Sequence, residues 1–161
     1  MKKVCALILC AVIAVGGAFA VEIEQVFRAG PQVGLGWGSG VRFTDIGAST
    51  LWTFDLGEVN LTTGVNANLQ DFVVAEVGGV VGVSKDFALS DNRCIRVGIQ
   101  ANAGICIAGP AYGLALGADW RPIEGSGLIL GAAVRYRGFL NLDNFTGYNG
   151  FSLPLSLGWK F

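Results

Sequence analysis

Alternation of apolar and polar residues is the strongest pattern in this chain, and it is clearest in residues 152–161. Side chains on a strand point alternately to its two faces, so strict alternation predicts a strand with one apolar and one polar surface. The polar surface of this segment consists of serine, proline, glycine and lysine. Its apolar surface consists of Leu153, Leu155, Leu157, Trp159 and Phe161.

The same two-residue period recurs in seven earlier segments and predicts eight strands in all, most of about 9–11 residues, the length that a tilted strand needs to cross hydrocarbon. These segments are residues 33–43, 52–56, 59–70, 73–84, 95–107, 112–121 and 128–137. Turn-like sequences separate them at residues 44–49, 57–58, 70–72, 85–93, 108–111, 122–127 and 139–150. Residues 21–30 fit either a lead-in or an extension of the first strand. Pro154 lacks a backbone donor and predicts a bulge where the last strand meets the first.

The composition of the two faces indicates which of them meets lipid. Hydrophobic residues make up 52% of the chain and charged residues 14%, whereas soluble domains carry about 25% charged residues. The polar face is mostly Gly, Asn, Thr, Ser and Ala, which suits a crowded lumen better than a solvated surface rich in Lys and Glu. We therefore expect an all-β fold, an eight-stranded antiparallel up-and-down transmembrane β-barrel. A soluble secreted barrel or sandwich, with the apolar face packed inside, is the alternative.

Aromatic residues of the apolar face fall near the ends of the expected strands, as in the belts that flank a membrane. If both chain ends lie in the periplasm, one belt lies at the outer rim and the other at the inner rim. The outer belt would contain Phe43, Trp52, Phe72, Tyr112, Tyr136 and Phe151, and the inner belt Phe54, Trp120, Trp159 and Phe161.

The beginning of the chain has the layout of a secretory signal peptide. Lys2 and Lys3 precede an uninterrupted apolar run over residues 4–15, and Ala18 and Ala20 supply a small-x-small cleavage site. We expect residues 1–20 to be removed, which leaves 21–161 as a single barrel domain. A transmembrane helix is the alternative, but the apolar run is short for a span. The net charge of −1 carries no basic bias and no sign of a nucleic-acid partner.

These features together resemble the small eight-stranded bacterial outer-membrane barrels, a class that includes the OmpA membrane domain, OmpX and OmpW. The resemblance rests on the signal peptide, the strand count and the aromatic ending at Phe161. It implies residence in the outer membrane, contact with outer-membrane lipids, and recognition of the 153–161 apolar stripe by the barrel-assembly machinery. No feature of the sequence selects one subfamily.

Charged residues on the polar face would point into the lumen and form two groups. Buried charges need partners, so these groups would be salt-bridge clusters that pack the interior, with Glu76 pairing with Arg135 or Arg137. The alternative is a selective pore or gate with a weak preference for anions. The outer group contains Arg42, Glu76, Arg135 and Arg137, and the periplasmic group contains Asp55, Arg96, Asp119, Arg121 and Lys160.

The expected function is a structural or surface-interaction role in the cell envelope. One alternative is a narrow channel or carrier for small solutes, including hydrophobic ones, as the resemblance to OmpW would imply. Another is an adhesin that uses the loop over residues 139–150. We expect no enzyme, cofactor or metal site, because the chain contains no histidine and the serines have no nearby candidate base. Cys94 and Cys106 are too far apart along one strand for a disulfide and should be free thiols.

Overall fold

The computed structural model describes residues 23–37, 42–70, 74–90, 93–107, 109–123, 126–141 and 146–161. The expected signal peptide, residues 1–20 with Ala18 and Ala20, lies outside the described residues. Among the described residues, no helix is long and apolar enough to span a bilayer.

Eight antiparallel strands form one closed barrel in which each strand pairs with its neighbours in sequence and the first pairs with the last. This confirms the predicted fold class and strand number. The strands are β1 Ile23–Trp37, β2 Arg42–Asp55, β3 Asn60–Gln70, β4 Val74–Ser90, β5 Arg93–Cys106, β6 Gly109–Arg121, β7 Leu128–Asn141 and β8 Thr146–Lys160.

The pairing register fixes how far the strands tilt. A path of paired residues that starts at Glu24 in β1 and crosses all eight strands returns to β1 at Gly34, ten residues further along. A stagger of this kind requires strands that lean by about 35–45° from the barrel axis. The strands are 11 to 17 residues long, so several extend beyond the roughly 9–11 residues that cross hydrocarbon.

We call the end of the barrel that holds Ile23 and Phe161 the terminal rim, and the opposite end the distal rim. Tyr112, Tyr136 and Phe151 lie toward the distal rim and Phe54, Trp120 and Trp159 toward the terminal rim, as predicted. The prediction for Trp52 is wrong. Trp52 pairs with Gln25, close to the start of β1, and therefore lies near the terminal rim.

Of the two alternatives for residues 21–30, the structure shows the strand extension, because residues 23–30 begin β1. Two predicted turns are instead paired strand. Residues 44–49 lie inside β2, where Ser49 pairs with Arg28 and Gly47 with Gly30. Residues 85–90 continue β4 alongside β5. The small and polar residues of these segments resemble turns when read locally, but the ladders on either side hold them extended.

The predicted loop over residues 139–150 is also mostly strand. Phe139 pairs with Tyr148, Leu140 with Gly147 and Asn141 with Thr146, so only residues 142–145 separate β7 from β8. The predicted extent of this loop is therefore wrong. The connections at the distal rim are at most four residues long, between β1 and β2, β3 and β4, β5 and β6, and β7 and β8.

Pro154 produces no bulge, which corrects the prediction for the seam between β1 and β8. On the side of β1, Gln32 pairs with Pro154 in the same register in which Ala29 pairs with Leu157. On the side of β7, Ala132 and Arg135 pair with β8 in a single register. Pairing is interrupted beside Pro154 along both neighbouring strands, as expected where a ladder donor is missing, but it resumes in the same register. The register shift lies instead in the β4–β5 hairpin, between Ala88 and Ser90.

Candidate functional site

The two faces of the barrel differ sharply in exposure, as the alternation predicts. Large apolar side chains point outward, and Leu116 and Leu155 are 61% and 58% exposed. Inward polar side chains are enclosed, and Asn68 and Ser152 are 5% and 1% exposed. The apolar exterior and polar interior reverse the arrangement of a soluble barrel, so the candidate site lies in the lumen.

A network of charged side chains lies in the lumen near the terminal rim, and Glu24 of β1 is at its centre. The Glu24 carboxylate forms ion pairs with Arg96 at 3.4 Å, with Lys160 at 3.4 Å and with Arg121. Arg96 also binds Asp86 through two parallel hydrogen bonds, Nε to Oδ1 at 2.6 Å and Nη2 to Oδ2 at 2.8 Å. This bidentate geometry is the strong form of an arginine–carboxylate pair.

A further pair extends this terminal network toward the middle of the barrel. Arg28 Nη2 donates to Asp119 Oδ2 at 2.5 Å, with both side chains mostly buried. The terminal network thus joins strands β1, β4, β5, β6 and β8. Its members are Glu24, Arg28, Asp86, Arg96, Asp119, Arg121 and Lys160.

Sequence reasoning identified four of these residues and missed three. Arg96, Asp119, Arg121 and Lys160 are brought together as predicted. Glu24 and Arg28 were missed because β1 was expected to begin at residue 33, and Asp86 because it fell in an expected turn. A signal for β1 was present in the inward series Glu24, Val26, Arg28 and Gly30, but the inward Val26 breaks the polar pattern.

Asp55 does not join the terminal network, which corrects its predicted placement. It is exposed at the end of β2, where its Oδ1 accepts a hydrogen bond from the Gly57 backbone N–H at 2.7 Å. Gly57 has a φ of 94°, a conformation that glycine adopts without a Cβ penalty. Asp55 therefore stabilises the β2–β3 turn.

A second network lies in the lumen near the distal rim. Arg137 Nη2 donates to Glu76 Oε2 at 3.1 Å, and Asn102 Nδ2 donates to Glu76 Oε1 at 3.3 Å. All three side chains are buried. This geometry confirms the predicted pairing of Glu76 with Arg137, and we call these three residues the distal network.

The other two residues of the predicted outer group are Arg135 and Arg42. Arg135 points into the lumen one inward position closer to the middle than Arg137, and it lines a central cavity. Arg42 begins β2 and pairs with Leu35, but its side chain lies outside the described residues. The prediction for Arg42 came from alternation along one strand over residues 33–43. The structure divides these residues between two strands, because β1 ends at Trp37 and β2 begins at Arg42.

Three buried apolar side chains also point inward above the terminal network. Val26, Leu51 and Ile129 are 1%, 2% and 2% exposed. The predicted alternation placed Ile129 on the inward face of its strand, whereas Val26 and Leu51 lay outside the predicted strands.

A cavity of about 100 Å³ lies between the two networks, and we call it the lumen chamber. Small residues form much of its wall, including Gly30, Gly47, Gly98, Gly117 and Ala115. Charged side chains line it at both ends: Arg28, Arg96 and Asp119 toward the terminal rim, and Arg135 toward the distal rim. The two networks thus lie at two levels of the lumen, with space between them.

A polar contact also lies on the outward face near the distal rim. Tyr112 Oη and Tyr136 Oη both donate to Asn149 Oδ1, at 2.6 Å and 3.0 Å. The Tyr136 ring packs at a tilt against Phe151, with 5.4 Å between centroids. This arrangement places aromatic rings and one amide where an outer belt was predicted.

Cys94 and Cys106 are both free, as predicted, and lie near opposite ends of β5. In the part of the chain that the structure describes, no group of three or more metal-ligating side chains comes together.

Comparisons with known proteins agree on the fold. No protein-family model matches the chain, and no curated protein matches it either. Neisserial surface protein A superimposes with a TM-score of 0.62 at 12% identity, covering 86% of this chain and 95% of that one. A de novo designed transmembrane β-barrel reaches a TM-score of 0.50 at 13% identity, with coverage of 86% and 95%. Ail, the attachment invasion locus protein of Yersinia pestis, reaches 0.43 at 12% identity, with coverage of 87% and 99%. At these identities the superpositions on Neisserial surface protein A and on the designed barrel show the barrel fold alone.

Proposed function

We propose that this chain is an integral outer-membrane barrel with a structural role in the cell envelope and a closed lumen. The membrane part of the proposal rests on the outward face. Leucine, valine and isoleucine side chains remain exposed on strand after strand, at levels that a soluble monomer does not present. Closing the sheet leaves no unpaired edge within the hydrocarbon, which any membrane-spanning sheet requires. The fold it shares with Neisserial surface protein A supports an outer-membrane location.

The structural role rests chiefly on one observation, the two ionic networks that cross the lumen at different levels. Each network links side chains from separate strands by buried ion pairs. Removing one partner from such a pair leaves an uncompensated buried charge, so the networks resist opening. Short distal connections leave little surface beyond the membrane for a ligand or host protein.

Planar-bilayer recording tests the closed lumen. The purified full chain, reconstituted at neutral pH, should insert without discrete conductance steps. Stable open steps from the wild-type protein would contradict the closed lumen and favour a channel.

Envelope integrity tests the structural role separately. Cells that lack the protein should become more sensitive to detergent, and a folded lumen variant outside the two networks, such as Ser84→Ala in the wall of the lumen chamber, should restore resistance as well as the wild type. If only chains with an intact lumen restored resistance, passage through the lumen would be the function instead.

A narrow channel is the second candidate, and the lumen chamber favours it. A barrel of eight strands has an interior just wide enough for side chains to fill, yet small residues leave about 100 Å³ open in the middle of this one. A solute could pass only if both networks rearranged. Conductance that appears under voltage or a pH change in the wild-type protein would support this candidate.

We further propose that the apolar stripe of β8, with Phe161 after its end, serves as the recognition signal for the barrel-assembly machinery. Leu153, Leu155, Leu157, Trp159 and Phe161 all face outward. Phe161→Ala should reduce the amount of assembled protein in cells, whereas the purified variant should refold in detergent as well as the wild type. Unchanged assembly in cells would contradict the proposed signal.

A further inference from the structure

Strand β4 extends past its neighbour β3 at the terminal rim and leaves a backbone edge without a partner strand. Asn60, the first residue of β3, pairs with Ser84, and a hydrogen bond from the Leu56 N–H to the Val59 carbonyl at 3.0 Å closes the β2–β3 turn there. β4 continues over residues 85–90, which pair with β5 alone among the described residues. The backbone donors and acceptors on the other side of this segment, which we call the free edge, are therefore open to another strand.

The free edge lies on the aqueous side of the membrane boundary. Toward the terminal rim, the outward side chains of β4 run from Val83 through Lys85 to Phe87 and Leu89. An outward lysine is costly in the middle of the hydrocarbon and costs little at its interface, so Lys85 marks the boundary. Phe87 and Leu89 lie beyond it and are 49% and 56% exposed, and lipid tails do not cover them.

The stagger of the barrel leads to the same placement. Phe87 pairs with Ile95, which in turn pairs with Trp120 of the belt at the terminal rim. Stepping from β6 back to β4 takes two of the eight steps of the ten-residue stagger, and it leads toward the terminal rim. Phe87 therefore lies roughly 6 Å beyond Trp120 along the barrel axis.

The free edge is held extended, and its outward charge is positive. Asp86, which points inward, is fixed by two parallel hydrogen bonds from Arg96, directly opposite it on β5. The outward charges at this end of β4 and β5 are Lys85 and Arg93, and neither forms an ion pair in the part of the chain that the structure describes. A preorganised edge loses little conformational entropy when another strand pairs with it.

We propose that the free edge is a docking site for an extended peptide segment of a separate protein, on the aqueous side of the terminal rim. The segment adds a strand to β4 through backbone hydrogen bonds, its apolar side chains cover Phe87 and Leu89, and an acidic side chain faces Lys85. The docking does not involve the lumen. Of the proposed function, it rests only on the membrane placement of the barrel.

A second copy of this chain does not fit the free edge. Antiparallel pairing of two identical edges requires a two-fold axis perpendicular to the sheet. The barrel wall stands upright in the bilayer, so this axis would lie in the membrane plane and would invert the second barrel. Parallel pairing would place the two-fold axis along the strands and tilt the second barrel by about 70–90°, twice the strand inclination. Two barrels in one flat membrane can adopt neither arrangement.

Amide hydrogen exchange of the purified chain in lipid nanodiscs tests the docking directly, once heat-dependent gel migration has shown that the barrel is inserted. The probe is a synthetic peptide Ser-Val-Thr-Val-Thr-Glu-Ser, acetylated and amidated. In antiparallel pairing its valines lie opposite Leu89 and Phe87, and its glutamate lies opposite Lys85. At millimolar peptide, amides of residues 85–88 should exchange at least about tenfold more slowly. The same peptide methylated at its backbone nitrogens cannot pair and should give no protection.

A charge exchange across the contact tests its specificity. Lys85→Glu should weaken binding of the glutamate peptide about fivefold, and the same peptide with lysine in place of glutamate should regain that affinity. Phe87→Ser should weaken binding of the glutamate peptide about tenfold. Ile123→Ser is the matched control and should change nothing, because Ile123 is 57% exposed at the same rim but lies outside β4.

Three results would overturn the proposal. The first is unchanged exchange of the free edge at millimolar peptide, and the second is equal protection by the methylated peptide. The third is slow exchange along the free edge before any peptide is added, because a second copy or the lipid surface would then already cover it.

Discussion

At the scale of single residues, Gly138 shows how one absent side chain permits a specific contact. It lies on the outward face of β7, and a Cβ added there would come within 2.5 Å of Asn149 Oδ1 and 2.7 Å of the Tyr112 hydroxyl. Gly79 also points outward, on β4, but a Cβ there would meet only the Gly64 carbonyl oxygen, at 3.9 Å. The two glycines therefore make a matched pair.

Gly138→Ala should lower the free energy of unfolding by about 1–3 kcal/mol, because the new methyl group overpacks the Tyr112–Asn149 contact. Gly79→Ala should be neutral or slightly stabilising, since alanine is favoured over glycine in a strand by about 0.5–1 kcal/mol. Urea unfolding of both variants in lipid vesicles provides the comparison. Equal effects of the two substitutions would show that the distal contact has no energetic weight.

Glu24 is the residue on which the terminal network converges. Glu24→Gln removes the charge that Arg96, Arg121 and Lys160 share, and it should cost about 3 kcal/mol of stability because the cations are left without their common partner. Asp55→Asn is the control. Asp55 is exposed and an asparagine can still accept the Gly57 hydrogen bond, so we expect a change below about 0.5 kcal/mol. A larger effect at Asp55 than at Glu24 would contradict the network as described.

At the scale of elements, strict alternation made β3, β5 and β6 predictable to within about three residues at each end, because one of their faces is consistently apolar and the other polar. The pattern failed where the lumen itself is apolar. Val26 and Leu51 point inward but are hydrophobic, so the pattern left the first half of β1 open between a lead-in and a strand, and it assigned the middle of β2 to a turn. Tertiary pairing, which local patterns do not contain, decided those segments.

The candidate site was predictable to the extent that the strands were. Arg96, Asp119, Arg121 and Lys160 lie on strands with clean alternation and were placed together correctly. Glu24, Arg28 and Asp86 became visible only once β1 and β4 were extended, since their contacts bridge strands far apart in sequence. The distance between Arg28 and Asp119 along the chain is 91 residues, and only barrel closure brings them together.

Strand β5 offers a test of orientation, because its two free cysteines lie at opposite rims. Cys94 is near the terminal rim and Cys106 near the distal rim, and both side chains are half-buried. If the terminal rim faces the periplasm, a membrane-impermeant maleimide should label Cys106 on intact cells and Cys94 only after the outer membrane is permeabilised. Cys106→Ser should abolish the labelling of intact cells. Labelling of Cys94 alone on intact cells would mean the opposite orientation.

At the scale of the whole molecule, the two networks act in series along one lumen. Opening either network alone leaves the other in place. The double variant Glu76→Ala/Arg137→Ala should therefore leave conductance at background, and so should the double variant Glu24→Ala/Arg96→Ala. All four substitutions together should produce conductance steps, provided that gel migration shows a folded barrel. Conductance in one double variant equal to that of the quadruple variant would mean that only one network closes the lumen.

The apolar side chains on the outward face of the barrel can be removed from water only by lipid or detergent. The most direct test is to refold the chain over residues 21–161 with and without lipid vesicles and to follow its circular dichroism and its heat-dependent migration on gels. We predict a strand-rich, heat-modifiable monomer only when vesicles are present. A folded, soluble monomer in buffer without lipid or detergent would contradict the account.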